Sequence, residues 1–327
     1  MRLIGLAVVL TIGLILAPLV GRAQQPGKVY RIGILSPGRE PPIQLTVPYY
    51  EPFRRSLADS GYVEGRNVSF EYRWADDPNR LPALAIELVR GGVDVLFALS
   101  SPAIRALAEA TTTIPIVVIS VLDPIDAGLV ASLARPGGNI TGLSSRVVEL
   151  NEKLLEMLKE SMPTASRVAV LGSPTSIERS RNEMEGAARS LGVRLQFLEV
   201  TSLKEIDSAF ETAAKARAEG LVLLPTVLFA LSQRQIARLA LQRRLPAIFW
   251  RSQFAEAGGL MAYGPDEVYA LQRAGALVAR ILKGARPSDL PVEQVDRFRL
   301  VINLKTAKAL GLTIPQSLLV RADEVIQ

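Results

Sequence analysis

The stretch that decides the fold is VDVLFALSSP, residues 93–102, in which an apolar strand runs directly into the start of a helix. The same order recurs at residues 116–124, IVVISVLDP, and at residues 168–176, VAVLGSPTS. A Ser or Asp followed by Pro favours a helix N-terminus, where backbone N–H groups are free to bind a ligand. In open α/β sheets such N-termini lie at the carboxyl ends of parallel strands, where small anionic or polar ligands are held. The three segments therefore predict ligand-binding turns in an α/β protein.

Strands and helices alternate along nearly the whole chain, in two consecutive series and a tail. The first series comprises strands at 31–35, 67–74, 93–99, 114–122 and 139–143, with helices at 52–60, 81–90, 102–110 and 124–133. The second comprises helices at 147–162, 177–191, 203–218 and 231–243, with strands at 167–171, 194–200, 220–224 and 246–250. The tail has strands at 258–265 and 298–302 and helices at 266–283 and 305–310. Because the strands are continuous apolar runs, typical of parallel strands covered on both faces, the series predict two doubly wound parallel-sheet lobes.

Residues 1–23 have the composition of a secretory signal peptide. Arg2 supplies a positive charge, residues 3–20 are almost wholly apolar, and GRA at 21–23 places small residues at the −3 and −1 positions of a cleavage site. The alternative is an uncleaved membrane anchor, since about 18 apolar residues can span a bilayer. Pro18 and the QQPG segment at 24–27 favour cleavage. The sequence thus predicts a periplasmic or otherwise extracytoplasmic protein.

Two residue types that support much enzyme chemistry are missing, because the sequence contains no Cys and no His. Without Cys there are no disulfides or thiol chemistry, and without His there are no Ser-His-Asp triads, His general bases or His-ligated zinc sites. The formal net charge is +6, but no Lys/Arg run is interleaved with aromatic residues, so nucleic acid is not an expected partner. Phosphate-binding glycine motifs are missing as well. We therefore expect no cofactor, no metal and no catalytic residues.

Six short segments, taken in order, resemble one protein family. They are GYVEGRN at 61–67, LPALA at 81–85, DP followed by GLV within 123–130, RPGGNITG at 135–142, GGLMAYG at 258–264 and NLKTA at 303–307. Their order and spacing are similar to those of the ABC transporter substrate-binding proteins of the tryptophan/tyrosine-binding type. The resemblance extends over nearly all of the chain that follows the predicted signal peptide.

This resemblance implies a type I periplasmic-binding-protein fold, in which three segments join the two lobes. The implied crossings lie near residues 143–146, 258–264 and 286–291. Lobe 1 is then expected at 28–143 plus 264–286, and lobe 2 at 144–260 plus 290–327. Periodicity alone would assign the whole tail to lobe 2, so this division depends on the resemblance.

In lobe 1, the candidate ligand-binding residues follow predicted strands. Ser100 and Ser101, together with the backbone amides of the helix after them, are suited to hold a carboxylate. Asp123 is suited to pair with an ammonium group, because such a contact strengthens once water is expelled. Ser36 follows the first strand in the same way. Ser101 and Asp123 each have an alternative role as the N-cap of a helix.

In lobe 2, hydroxyl side chains occupy the equivalent strand-to-helix turns. Ser173 and Thr175 follow the strand at 167–171, and Thr226 follows the strand at 220–224. Because a ligand held between two lobes must touch loops of both, these residues are the expected counterparts of the lobe 1 serines. Thr175 has capping-box spacing with Glu178, so capping is its alternative role.

Three further candidates lie at or beside the second implied crossing. Arg251 can bind a carboxylate through its forked guanidinium, while Phe254 and Tyr263 can stack on a flat ligand. For Trp250 core packing is the favoured interpretation, and for Arg251 a solvated surface charge is the alternative. The Pro-rich segment 36–50 is expected to form a loop over the mouth of the cleft.

The function predicted from these features is solute capture without chemistry. The signal peptide, the paired turns and the resemblance indicate an extracytoplasmic solute-binding protein of an ABC importer, with a membrane permease as its partner. Its expected ligand is a small carboxylated molecule such as an amino acid, aromatic ones included. A ligand that contacts both lobes favours their closed arrangement. The alternatives are a soluble ligand-sensing protein of the same fold and a secreted α/β enzyme that uses carboxylates such as Asp123 and Glu149.

Overall fold

The computed structural model describes residues 28–38, 40, 43–120, 124–145 and 150–327, which form two β-sheets flanked by helices. The predicted signal peptide, residues 1–23, lies outside these ranges. Among the described residues, none of the helices combines the length and the apolar character needed to cross a membrane. Each sheet with its helices is one lobe, and the predicted α/β class with two parallel-sheet lobes is confirmed.

Within the described ranges, lobe 1 contains a six-stranded sheet whose strands are all parallel. The strands are β1 (Tyr30–Pro37), β2 (Val68–Ala75), β3 (Val95–Ala98), β4 (Ile116–Ser120), β5 (Ile140–Ser144) and β11 (Glu293–Gln294). Their order in the sheet is β11-β5-β4-β3-β1-β2. The helices of this lobe are α1 (Ile43–Asp59), α2 (Leu81–Arg90), α3 (Ser101–Ala110) and α10 (Glu267–Leu282).

The sheet of lobe 1 separates two apolar clusters. On one face, Ile32 and Ile34 of β1 pack with α1 and α10, while Leu35 packs with α2 and α3 on the other face. All three side chains are fully buried, which explains why β1 reads as a continuous apolar run. Helices α1 and α10 approach each other closely at Gly275, where a Cβ atom would lie 2.5 Å from the carbonyl oxygen of Phe53.

Lobe 2 is built on a seven-stranded sheet in the described part of the chain. Its strands are β6 (Arg167–Gly172), β7 (Arg194–Glu199), β8 (Gly220–Leu223), β9 (Ala247–Phe249), β10 (Met261–Pro265), β12 (Phe298–Asn303) and β13 (Glu324–Ile326). Their order is β13-β12-β10-β9-β8-β6-β7, and β10 and β12 form its antiparallel pair. The helices are α4 (Asn151–Ser161), α5 (Pro174–Leu191), α6 (Ile206–Lys215), α7 (Val227–Ala230), α8 (Gln233–Gln242), α9 (Ser252–Glu256), α11 (Leu304–Leu310) and α12 (Gln316–Arg321).

The chain passes between the lobes at positions that differ in part from the implied crossings. The first passage lies between β5 and α4, and residues 146–149 of it are outside the described ranges. The second follows β10, which pairs with β9 and β12, so residues 261–265 belong to the sheet of lobe 2. The third follows β11, because Glu293–Gln294 pairs with Leu143–Ser144 of lobe 1. The chain therefore leaves lobe 1 later than residues 286–291.

Two predicted local structures are wrong. Residues 124–133, predicted as a helix, form turns in the structure. Gly128 has a φ of 68°, a left-handed conformation that interrupts helical geometry. The segment 36–50, predicted as a loop over the cleft, is helical from Ile43 onward as the first part of α1.

Gly142 in β5 is a position at which the fold should accept no side chain. Its φ of 148° favours glycine, and a Cβ atom would collide with the carbonyl oxygen of Val118 on the neighbouring strand. We expect Gly142→Ala to lower the free energy of unfolding by about 2–3 kcal/mol, measured by guanidinium unfolding. Gly138→Ala is the matched control, because a Cβ atom there would meet none of the described atoms within 4 Å. Equal stability of the two variants would refute this account of the β4–β5 pairing.

Candidate ligand-binding site

A cavity of about 690 Å³ lies between the lobes, at the carboxyl ends of their parallel strands. Lobe 1 contributes residues at the ends of β1 and β3, and lobe 2 contributes residues that follow β6, β8 and β9. Because parallel strands of one sheet end at the same edge, turns that are far apart in the sequence meet here. The volume is that of a site for a small molecule.

Aromatic side chains of both lobes form the walls of this cavity. Tyr49, Tyr50 and Trp74 come from lobe 1, and Trp250, although only 5% exposed, borders the cavity from lobe 2. Tyr50 makes edge-to-face contacts with Tyr49 and Phe97, with ring centroids 5.0 and 6.4 Å apart. Packing therefore fixes this ring, and the walls present flat apolar surface to a flat apolar group of a ligand.

Ser100 stands at the N-terminus of α3 with a hydroxyl that the helix does not use. Its backbone is extended, and its carbonyl oxygen accepts a hydrogen bond from the Ile104 amide at 2.9 Å. Its Oγ atom makes no capping hydrogen bond and is buried without a partner in the part of the chain that the structure describes. Ser101 also borders the cavity. The hydroxyl and the first-turn amides of α3 can together receive an anion.

Ser173 and Thr226 of lobe 2 use their hydroxyls differently. Ser173 Oγ accepts a hydrogen bond from the Ser176 amide at 3.2 Å, and Thr226 Oγ1 accepts one from the Phe229 amide at 3.1 Å. These are the N-cap hydrogen bonds of α5 and α7. Both side chains still border the cavity, as does Thr175 in the first turn of α5. Because Ser173 is the N-cap, the capping role considered for Thr175 is wrong.

A charged cluster beside the second passage joins the two lobes on the cavity wall. Arg251 of lobe 2 forms an ion pair with Glu267 of lobe 1, in which Nε lies 2.5 Å from Oε1 and Nη2 donates to Oε2 at 2.8 Å. Nη2 also donates to the Tyr49 hydroxyl at 3.3 Å, and Gln253 Nε2 donates to Glu267 Oε2 at 2.8 Å. The cavity thus contains a positive and a negative charge side by side.

Burial and charge shift the pKa values of two members of this cluster. Burial, followed by the negative charge of Glu267, raises the pKa of the Tyr49 phenol to about 12. For Arg251, burial opposes the charged form, but Glu267 and Tyr49 outweigh this effect and raise the pKa of the guanidinium. At neutral pH the Tyr49 phenol is therefore neutral and the Arg251 guanidinium is charged.

Most of the residues selected from the sequence as ligand contacts border the cavity, namely Ser36, Ser100, Ser101, Ser173, Thr175, Thr226 and Arg251. Phe254 lies elsewhere, because α9 turns its fully buried side chain onto Phe249, with ring centroids 4.7 Å apart. Tyr263 on β10 stacks on Phe298 of the paired strand at 5.9 Å. Neither ring is part of the cavity lining formed by the described residues. Asp123 lies outside the described residues.

The cavity also contains residues that the strand-end pattern did not indicate. Trp74 is paired with Ser36 in the register of β1 and β2. Ser36 was selected because it lies at the end of a predicted strand, and the same criterion applied to the second strand would have selected Trp74. Glu267 follows the N-cap Asp266 and resembles an ordinary first-turn acid of a helix. Asn151 is the first residue of α4 rather than part of a strand-to-helix turn. Only the folded arrangement brings these last two side chains to the cavity.

Comparison with known proteins gives consistent results. The family described as ABC transporter substrate binding protein matches residues 47–326. A tyrosine-binding protein of Clostridioides difficile is 27% identical over 263 residues, covering 80% of this chain and 75% of that protein. An ABC domain of Streptococcus pneumoniae in complex with L-Trp superposes with a TM-score of 0.80 at 27% identity, covering 91% of this chain and 100% of that chain. A ligand-free, open substrate-binding protein with adhesive properties from Clostridium difficile gives a TM-score of 0.67 at 26% identity, with the same coverage.

Removal of the Glu267 charge tests whether the charged cluster stabilises the fold. Glu267→Gln leaves Arg251 without its counterion, and we expect the free energy of unfolding to fall by about 1–2 kcal/mol. The loss is smaller than for a fully buried pair, because both side chains are partly exposed. Glu156→Gln, which removes an exposed pair with Lys153, is the control and should change stability by less than about 0.5 kcal/mol. Denaturant unfolding measures both values, and equal losses would contradict the expectation.

The raised pKa of Tyr49 predicts a loss of stability at alkaline pH. Between pH 10 and about 12 the tyrosine of the unfolded chain loses its proton while folded Tyr49 keeps it. The folded state then binds more protons, so the free energy of unfolding falls as the pH rises through this range, and it is unaffected by Tyr49 below it. We expect a shallower fall for Tyr49→Phe, followed by urea unfolding from pH 9 to 12. Tyr263→Phe, outside the cluster, is the control, and parallel curves for all three proteins would exclude a role for Tyr49.

Proposed function

Because this chain belongs to the ABC transporter substrate-binding protein family, we propose that it captures an amino acid with an aromatic side chain and delivers it to an ABC importer. The observation that carries the proposal is the composition of the cavity between the lobes. It combines aromatic walls, the hydroxyl of Ser100 at a helix N-terminus and the Arg251–Glu267 charges. An aromatic amino acid presents a flat ring, a carboxylate and an ammonium group, and the cavity offers a counterpart for each.

The ligand carboxylate is assigned to the N-terminus of α3. The Ser100 hydroxyl, the Ser101 hydroxyl and the amides of the first turn are donors available to a carboxylate, and the helix dipole favours a negative charge at this position. The guanidinium of Arg251 adds a positive charge to the same cavity. A carboxylate bound here replaces its water hydrogen bonds with charge-assisted ones.

The ammonium group and the ring are assigned to other parts of the cavity. Glu267 supplies a negative charge for the ammonium, and Asp123 remains a predicted second contact. The ring is assigned to the surface formed by Tyr50, Trp74 and Trp250. The hydroxyl groups that complete the polar lining are those of Ser36, Ser173, Thr175 and Thr226.

Such a ligand would touch both lobes, and its binding energy would favour the arrangement in which they are close together. The greater similarity of the fold to the Trp-bound streptococcal domain than to the open clostridial protein supports a closed arrangement. In the proposed cycle the protein is exported by means of the signal peptide at residues 1–23, binds its ligand outside the cytoplasm and releases it to a membrane permease.

Calorimetric titration of the purified protein with the twenty amino acids tests this function, with glucose and ribose as ligands of a different class. We expect an aromatic amino acid to bind with a Kd of about 10 μM or lower, and the sugars not to bind. Ser100→Ala should weaken that binding by about 5- to 30-fold, because it removes a hydrogen bond to a charged group. Ser190→Ala, at an exposed position near the end of α5, is the control and should bind like the wild type.

The complex with the bound amino acid also tests whether the ligand brings the two lobes closer together. Solution scattering should give a smaller radius of gyration with the bound amino acid than without it, since a ligand held by both lobes keeps them together. Failure of all twenty amino acids to bind at near-millimolar concentration would overturn the assignment of the ligand.

A further inference from the structure

A buried polar pair in lobe 2 forms part of the cavity wall and takes no part in the contacts assigned above. Asn151 begins α4, and Ser180 lies in the second turn of α5. Each residue is only 1% exposed, and both border the cavity. Polar side chains this deeply buried are normally fully hydrogen-bonded, so each of their polar atoms should have a partner.

Within this pair, one hydrogen-bond acceptor, the amide oxygen of Asn151, has no donor. Asn151 Nδ2 donates to Ser180 Oγ at 2.7 Å, which fixes the orientation of the amide. Asn151 Oδ1 is buried and has no hydrogen-bond partner among the residues that the structure describes. Burial of an unpaired amide oxygen is unfavourable, and a donor from a bound molecule would remove this cost.

Neighbouring polar groups of the cavity wall are already engaged with one another. Ser173 Oγ donates to Ser176 Oγ at 3.1 Å, and Ser176 Oγ donates to the Ser173 carbonyl oxygen at 2.9 Å. These hydroxyls thus belong to the cap of α5. Two residues of the lining have a buried amide oxygen with no partner among the described residues, Asn151 and Gln253. The amide of Gln253 is bonded to Glu267 in the charged cluster, so the amide oxygen of Asn151 is the acceptor that the wall beside α4 and α5 presents to a ligand.

The chemistry of this acceptor restricts the group that it can bind. A carboxylate is repelled, because both partners would be acceptors. An ammonium group is better matched by the carboxylate of Glu267, which borders the same cavity. A neutral N–H or O–H group is the remaining kind of donor, and indole and phenol rings carry one on an otherwise apolar frame.

From this geometry we infer that Asn151 Oδ1 accepts a hydrogen bond from a neutral donor on the ligand side chain, and that Ser180 positions the amide for it. The cavity would then select an aromatic amino acid that carries a ring N–H or O–H over one that lacks it. This inference rests on the proposed function and adds the specificity-determining residue.

Two matched pairs of ligands test the inference by calorimetry. L-Trp is compared with β-(3-benzothienyl)-L-alanine, in which sulfur replaces the indole N–H, and L-Tyr is compared with L-Phe, which lacks the hydroxyl. In at least one pair we expect the ligand with the donor to bind about 10-fold more tightly or better, because its analogue leaves the buried acceptor unpaired. Equal affinities within both pairs would overturn the inference.

Variants of the pair show whether Asn151 is the source of the preference. Asn151→Leu removes the acceptor at similar volume, and we expect the two ligands of the discriminating pair to bind within about twofold of each other. Ser180→Ala keeps the acceptor but frees the amide, so the preference should fall without vanishing. Gln196→Leu is the matched control, because Gln196 also carries a buried unpaired amide oxygen in lobe 2 but does not border the cavity in the described part of the chain. It should keep the wild-type preference.

The possible results separate this inference from the proposed function. If none of the four ligands binds, the proposed function and the inference fall together. If they bind but the preference survives in Asn151→Leu or is unchanged in Ser180→Ala, the inference alone is overturned. Circular dichroism checks that each variant is folded. If Asn151→Leu does not fold, the inference is decided by the affinities of the wild-type protein for the two ligand pairs and by the preference of Ser180→Ala.

Discussion

The constraint on which this structure depends is the geometry of parallel strands. A parallel strand cannot be joined to the next by a hairpin, so the chain must cross back over the sheet, and the parallel strands of one lobe all end at the same edge. Helices begin at that edge, and the first N–H groups of each helix have no partner within it. Two lobes that turn these edges toward each other therefore create a cavity with backbone donors on both sides. Ser100 and Thr226, far apart in the sequence, meet in it for this reason.

The polar side chains at the cavity differ in whether their hydrogen bonds are already used within the scaffold or are available to a ligand. Ser173 and Thr226 stand at strand-to-helix turns like Ser100, yet their hydroxyls are committed to the caps of α5 and α7. The hydroxyl of Ser100 and the amide oxygen of Asn151 have no such commitment among the described residues. Because an unpaired buried polar atom is costly, a ligand that bonds to these two atoms, or to Gln253 Oε1 in the charged cluster, would stabilise the cavity wall.

Local patterns in the sequence predicted the two parallel sheets, and seven of the ten candidate residues border the cavity formed by the described residues. Helix α2 matches its predicted bounds of 81–90, since its apolar spacing and the two glycines after Arg90 define it locally. The position of Ser100 after a predicted strand identified it for the same reason, whereas Arg251 was selected because it lies beside the second implied crossing. Proximity to that crossing failed for Phe254, because the rotation of a short helix decides whether its ring faces the core or the cavity. Contacts such as that between Arg251 and Glu267 depend on how separate elements pack, and no local pattern encodes them.

The charged cluster and the second passage between the lobes are linked structurally. Arg251 and Glu267 lie on either side of β10, and Gly264 of that strand packs so closely on the carbonyl oxygen of Trp250 that a side chain would separate β10 from the segment that carries Arg251. In a rotation of one lobe against the other, displacement grows with distance from the axis, and residues beside a joining segment move least. The ion pair is therefore placed to persist through such a rotation. Gly38 of lobe 1 and Leu231 of lobe 2 are far in sequence from every passage, and a Cβ atom on Gly38 would lie 3.0 Å from Leu231 Cδ2. A rotation would change the distance between these two residues more than that between Arg251 and Glu267. The cavity thus combines a charge pair beside a joining segment with rim residues that lie far from the joining segments in the sequence.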